Sequence, residues 1–280
     1  MAHRTILTER QRVALFSLPT DNALFLRHYT LSDEDIAHIQ RRRRSENRIG
    51  FALQLCAFRY PGRLLQPNEL IPNELLAFVG EQIGLTGEEL LRYAVRRQTR
   101  YQHSARLQAL YGFRPFTGEL RQTFLTWLDS TAEDARSNDG LAKAFLEECR
   151  AKKIIIPGAS TVERLCASSL ILAEKRIITR IAARLGPRER KALLALLLDR
   201  VDERITRFVW LRQYEIGSNS TAANKLLDRL AYMSALPSCE HAIQGVPGHR
   251  ITRLRRQGER YYADGLRDLS EELKLAILAV

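Results

Sequence analysis

With 280 residues, 45% of them apolar and 27% charged, the chain is too long for one small helical bundle and too apolar for disorder to be the default. Its 44 Lys and Arg against 32 Asp and Glu leave a formal charge of +12, which points to a polyanionic partner, most often nucleic acid. Cys56, Cys149, Cys166 and Cys239 form no C-x-x-C pair and are too unevenly spaced for a zinc site or a disulfide framework, and no apolar run is long enough to span a bilayer.

In chain order, helix signals dominate. Ser32 with Asp35, Thr86 with Glu89 and Ser160 with Glu163 each form an S/T-x-x-D/E arrangement, in which the hydroxyl caps a free N–H and the carboxylate reaches back to the helix start. Residues 32–40 therefore read as a capped helix. Arg41, Arg42, Arg43, Arg44, Ser45, Glu46, Asn47 and Arg48 follow as a basic polar junction. Segment 49–58 is apolar nearly all round, the mark of a helix central to its domain, with Cys56 as packing and Gly50 permitting close approach of a neighbour. This order fits a helix-turn-helix-like unit, with the arginines on phosphates and Asn47 offering the donor–acceptor pair that suits adenine. Pro72 stands where a first helical turn tolerates proline, and Gly84 and Gly140 read as stop or turn residues.

Arg92, Arg96 and Arg100 recur every four positions, which predicts one ridge along a helix with Leu91, Ala94 and Val95 turned to the core. Arg97, His103 and Arg106 extend that cluster. Like charges at this spacing repel one another, so a bound anion would relieve the ridge. Further on, Ile154-Ile155-Ile156 is the one β-branched run, preceded by Lys152 and Lys153 and broken by Pro157-Gly158. Ser160, Thr161 and Arg164 open the next helix and join the DNA-contact candidates. A Pro/Gly-rich stretch at 236–249 precedes a third basic cluster, in which Arg250 and Arg253 are the candidates. The apolar stretch 273–280 reads as a helix whose partner lies beyond the last residue. The expected fold is all-α, with two or more helical domains carrying helix-turn-helix-like DNA-binding units. The expected divisions are an N-terminal DNA-binding domain at 1–152, a second helical domain at 158–236 and a truncated basic helical extension at 249–280.

Signs of catalysis are absent from the sequence. There is no phosphate-cradling glycine loop, and no H-E-x-x-H. His103-Ser104-Ala105-Arg106 matches H-x-x-R, but Tyr111 follows too closely to form the separate arm a tyrosine recombinase needs. No strand pattern could build the sheet on which three carboxylates hold two metal ions. No catalytic residue, metal or cofactor is expected.

Several ordered segments carry a family likeness. Leu7-Thr8-Glu9-Arg10, then Arg27-His28-Tyr29-Thr30-Leu31-Ser32-Asp33-Glu34-Asp35, then Asn47-Arg48-Ile49-Gly50-Phe51-Ala52-Leu53-Gln54-Leu55-Cys56 closely resemble the start of replicative transposases of the Tn-three family. The likeness continues through Arg59-Tyr60-Pro61-Gly62-Arg63, Thr99-Arg100-Tyr101-Gln102-His103, Tyr111-Gly112-Phe113-Arg114 and Trp127-Leu128, and resumes at 157–165. It covers most of residues 1–170. The resemblance implies helical domains that bind the terminal inverted repeats of a transposon, with a three-carboxylate nuclease domain much further along a longer chain. It implies double-stranded DNA as partner, no membrane, and a cytoplasmic location on the nucleoid when bound. The alternative is a regulatory or structural protein that binds full-length transposase or itself, or competes for transposon ends.

Overall fold

The computed structural model describes residues 7–66, 69–86, 88, 90–93, 97–203, 205–213 and 220–280, without the side chains of Leu91, Arg92 and Arg97. Two compact units divide it, Met1–Leu170 and Ile171–Val280. Among the described residues the architecture is all-α, apart from two short strands and an isolated bridge between Arg200 and Thr206. Among the described residues no helix is long and apolar enough to cross a membrane.

In the first unit the order is α1 (Glu9–Phe16), α2 (Asn22–His28), α3 (Asp33–Gln40), α4 (Ser45–Arg59), α5 (Asn73–Ile83), α6 (Leu90–Tyr93), α7 (Arg97–Tyr111), β1 (Arg114–Pro115), α8 (Gly118–Asp134), α9 (Asn138–Ala151) and β2 (Ile154–Ile155). The helix α10 (Ala159–Arg184) begins here and ends in the second unit. Local chemistry sets many of these starts. Ser32 and Asp35 form the expected capping box on α3, and Thr8 with Gln11 does the same for α1. Gly84 ends α5 in the left-handed conformation, at φ 67°, where glycine alone carries no side-chain penalty.

Helix α4 is the axis of this unit. Every residue from Ile49 to Phe58 is buried, packed against α3, α5, α6 and α7 together with Phe25, Tyr29, Ile39, Leu75, Val79 and Leu107. Each large side chain enclosed this way contributes about 1.5–3 kcal/mol. Gly50 does permit close approach. A Cβ there would lie 2.4 Å from the Tyr93 ring of α6, so the ring or the helix would have to shift. Gly50→Ala is expected to cost about 1–3 kcal/mol by overpacking, read as a lower denaturant midpoint at unchanged slope. An unchanged midpoint would mean the ring can move aside.

One local expectation gives way to a tertiary partner, and two others shift within their own helices. Glu163 does not cap α10; its carboxylate is buried and takes a two-pronged bond from Arg12, with Nη2 2.8 Å from Oε2 and Nε 3.2 Å from Oε1. Gly140 is no stop: it lies in the first turn of α9, where its N–H donates to the Ser137 hydroxyl at 3.2 Å. Pro72 stands one residue earlier than expected, as the N-cap of α5. The isoleucine run does form a strand, β2, paired in parallel with β1 and buried. Thr86 is described, but its capping partner Glu89 lies outside the described residues.

The second unit continues with α11 (Pro187–Leu198), α12 (Arg207–Arg212), α13 (Ser220–Ala235), α14 (Glu240–Ile243), α15 (Gly248–Arg260), α16 (Ala263–Arg267) and α17 (Glu271–Leu278). Its core gathers Ile177, Ile181, Leu193, Leu197, Leu254, Leu266, Leu275 and Ile277. The apolar end of the chain is thus covered from within: α17 packs on α11 and α15 and buries Leu275, Ala276 and Ile277. Cys56, Cys149 and Cys166 are buried, and that burial pushes each thiol up to about 12, which makes them inert packing groups.

Candidate nucleic-acid interface

The basic junction sits where α3 ends and α4 begins. Arg41 closes α3, and Arg44 is the N-cap of α4 without any side-chain hydrogen bond to the helix. The first N–H groups of a 15-residue helix are therefore uncapped in the middle of the arginine run. Arg41, Arg43 and Arg44 are exposed, and Arg42, Asn47 and Arg48 are partly buried. The Arg48 Nε donates to the Arg42 carbonyl at 2.9 Å, which folds the junction back on itself. Arg42 lies over the Phe51 ring, 5.0 Å from its centroid, and its Nε is buried with no hydrogen-bond partner among the described residues.

A second helix brings more charge to the same place. Burial first, then the charges of Arg106 and Arg41, lower the pKa of the Arg42 guanidinium, which places α7 and the junction in one electrostatic neighbourhood. Arg44 has a carboxylate, Glu46, 3.7 Å away. Among the described residues Arg41, Arg43 and Arg106 have none within ion-pair distance, and all three are exposed. Concentrated positive charge without internal compensation is the electrostatic footprint of an anion site.

Because α4 is enclosed from Ile49 onward, only its first turn can meet a large ligand. The helix with a free face is α7. Gln98, Tyr101, Gln102, Ala105, Arg106 and Ala109 are exposed at successive three- and four-residue steps, whereas His103, Ser104 and Leu107 face inward. Glutamine and arginine reach base edges, and alanine permits close approach and can meet a thymine methyl. At 1.5 Å per residue a helix of this length extends about 22 Å, enough to cross a major groove roughly 12 Å wide. This ridge escaped the sequence reading, which followed charge alone; the signal was uncharged Gln98, Gln102 and Ala105 in step with Arg106.

Not every expected contact residue is available. His103 is only 5% exposed. It stacks on Tyr93 at 5.5 Å, meets Phe51 edge-on at 5.2 Å, and shares a 3.1 Å hydrogen bond with the Tyr93 hydroxyl. It ties α7 to α4 and α6, so no phosphate reaches it. Burial and the nearby Arg42 charge bring its pKa down to about 4, so the ring is neutral. An unfolded histidine binds its proton near 6.5, so between pH 6.5 and 4 the unfolded chain binds more protons than the native one. Stability is expected to fall as pH drops through that window, by about 2 kcal/mol at pH 5 relative to neutrality. Thermal melts of wild type and His103→Gln check this: the variant's midpoint should move less between pH 7 and pH 5.

The ridge expected from Arg92, Arg96 and Arg100 is not displayed as such. Arg92 belongs to α6 and Arg100 to α7; residues 94–96 between them, and the side chains of Arg92 and Arg97, lie outside the described residues. Arg100 turns inward, donating from Nη2 to the Leu65 carbonyl at 2.9 Å. Lys152 pairs with Glu148 at 2.6 Å, and Lys153 donates to the Tyr111 carbonyl at 3.1 Å. Ser160 and Arg164 are exposed on α10, and Thr161 is partly buried.

In the second unit, α15 turns Arg250 inward at 5% exposure beside buried Leu254, because residues three to four apart share one helix face. Arg253 lies 3.3 Å from Glu174. Arg253, Arg255 and Arg256 are all exposed. Among the described residues no three His, Cys, Asp or Glu side chains group so as to hold a metal ion.

Residues 6–169 match a family described as a domain of unknown function, DUF4158. The chain is also similar to named transposases. It is 34% identical over 258 residues to the transposase for transposon Tn21 of Escherichia coli, covering 92% of this chain and 26% of that protein. It is 29% identical over 284 residues to the transposase for transposon Tn1546 of Enterococcus faecium, covering 99% of the chain and 28% of the relative. For the gamma-delta transposase of Escherichia coli K12 the identity is 24% over 278 residues, with 96% and 27% covered. The chain spans about a quarter of the length of these relatives.

Proposed function

The chain belongs to the DUF4158 family, and on that premise we propose that it is the DNA-end-binding part of a Tn-three family transposase. In this reading it recognises the terminal inverted repeat of a transposon and carries no catalytic site. Strand cleavage and joining belong to the portion of a full-length transposase that this chain does not span. Arg41, Arg42, Arg43 and Arg106, with the open N-terminus of α4, grip phosphates, and the exposed face of α7 enters the groove. Phosphate contacts set register and most of the affinity, and the α7 side chains read bases. Arg44, Asn47, Arg48, Ser160 and Arg164 extend the footprint. The observation that carries this reading is the cluster of uncompensated guanidinium groups shared by the α3–α4 junction and α7.

Fluorescence anisotropy tests it, with a duplex bearing the terminal inverted repeat beside the coding frame and a shuffled duplex of the same composition. The repeat should bind tighter, and both affinities should fall steeply between about 50 and 200 mM salt. Equal, salt-insensitive binding of the two duplexes would remove the proposal.

A second reading has one observation of its own. On α13 the apolar residues Leu226, Leu227, Leu230 and Met233 are each at least half exposed and share a helical stripe. Such a face suits a protein partner, full-length transposase or a second copy. Sizing chromatography without DNA distinguishes the two: a stable protein complex favours the second, a monomer the first.

A further inference from the structure

We propose that a cleft in the first unit, walled by α4, α7 and residues 64–65, receives a single unstacked nucleobase from the bound DNA. The proposal rests on the DNA-binding reading and adds to it a site for a base outside the double helix. The cleft has a volume of about 780 Å³, with Leu64, Leu65, Ala105 and Pro115 among its walls. It lies on the helix whose outer face is proposed to enter the groove, so a base leaving the stack there has a short path into it.

Three features match the chemistry of a base, a flat ring with apolar faces and a polar edge. Tyr101 lines the cleft and is 79% exposed, a large aromatic surface left to solvent beside an apolar hollow. An aromatic ring so placed is a stacking platform that accepts any base. Gln54 also lines the cleft, although only 4% of it is exposed. Its Oε1 accepts from the Leu65 N–H at 3.3 Å, while its Nε2 is buried with no hydrogen-bond partner among the described residues. A buried amide donor without an acceptor is rare and costly, and the ring nitrogens and carbonyl oxygens of bases are acceptors. Gln98 and Gln108 bring two further amides to the lining, and Gln108 donates to the Ser104 hydroxyl at 3.1 Å. A second hollow of about 270 Å³ shares Leu64, Gln108 and Pro115 and extends to Gly158, which gives room for the attached sugar and phosphate.

Two duplexes of one sequence make the test, one fully paired and one carrying a single unpaired 2-aminopurine. The unpaired duplex should bind about tenfold tighter, and its fluorescence should change on binding as the base passes from the helix to the tyrosine. Tyr101→Ala should abolish that preference, so that the two duplexes bind alike, and Tyr101→Phe should retain it. Gln54→Leu should reduce the preference while keeping the side-chain volume. Equal binding of the two duplexes by wild type, or a preference that survives Tyr101→Ala, overturns the base site and leaves groove binding standing. Failure to bind either duplex overturns the DNA reading and the base site with it.

Discussion

A chain carrying Arg41→Ala, Arg43→Ala and Arg106→Ala together should bind every DNA sequence about 100-fold more weakly near 0.1 M salt, with the slope of log affinity against log salt reduced by about three. All three side chains are exposed and lack a carboxylate partner among the described residues, so the fold should survive their loss. The ratio of affinities for inverted repeat and shuffled duplex should hardly change, because phosphate contacts carry no sequence information. Anisotropy titrations at several salt concentrations measure both quantities. An unchanged slope would mean that these guanidinium groups face solvent in the complex.

Asp35→Ala should give the largest loss of stability, about 2–4 kcal/mol, because it removes three hydrogen bonds to a buried carboxylate and leaves Arg59 and the Tyr111 hydroxyl without their acceptor. Asp35 is 1% exposed and accepts from Arg59 Nη2 at 2.9 Å, from the Tyr111 hydroxyl at 2.8 Å and from the Ser32 N–H at 2.8 Å. Burial pushes its carboxyl up, but the hydrogen bonds from Ser32, Tyr111 and Arg59 outweigh it and hold the group below the usual carboxylate range. Arg59 ends α4 and Tyr111 ends α7, so one carboxylate fastens α3, α4 and α7 together. Those elements carry the proposed interface. Denaturant unfolding of the variant checks the figure; a loss below about 1 kcal/mol would mean that the two partners find other acceptors or water.

Features decided by neighbours in sequence were legible beforehand. The Ser32 box, the Gly84 stop, the all-round burial of segment 49–58 and the space-making role of Gly50 all follow from spacing and side-chain size. Features decided by distant partners were not. Glu163 looks like a capping residue until Arg12, 151 positions away, claims its carboxylate. His103 and Arg250 look like members of basic clusters, and only the packed helix face shows that they point inward. The four-residue arginine period suggested one ridge, but Arg100 turns to the Leu65 carbonyl, a partner 35 positions away. Counting charges located the neighbourhood of the candidate interface; the uncharged ridge of α7 needed knowledge of which helix face stays open.

Amide hydrogen exchange of the chain with and without inverted-repeat duplex tests the central claim most directly, because it reports where DNA meets the protein without altering a residue. Slowed exchange should appear in the uncapped first turn of α4 and the adjoining arginine junction, and along α7 from Gln98 to Ala109, in the first unit. Protection confined to α15 in the second unit, or none at saturating DNA, would contradict the assignment of α7 and the junction as the DNA-contacting surface.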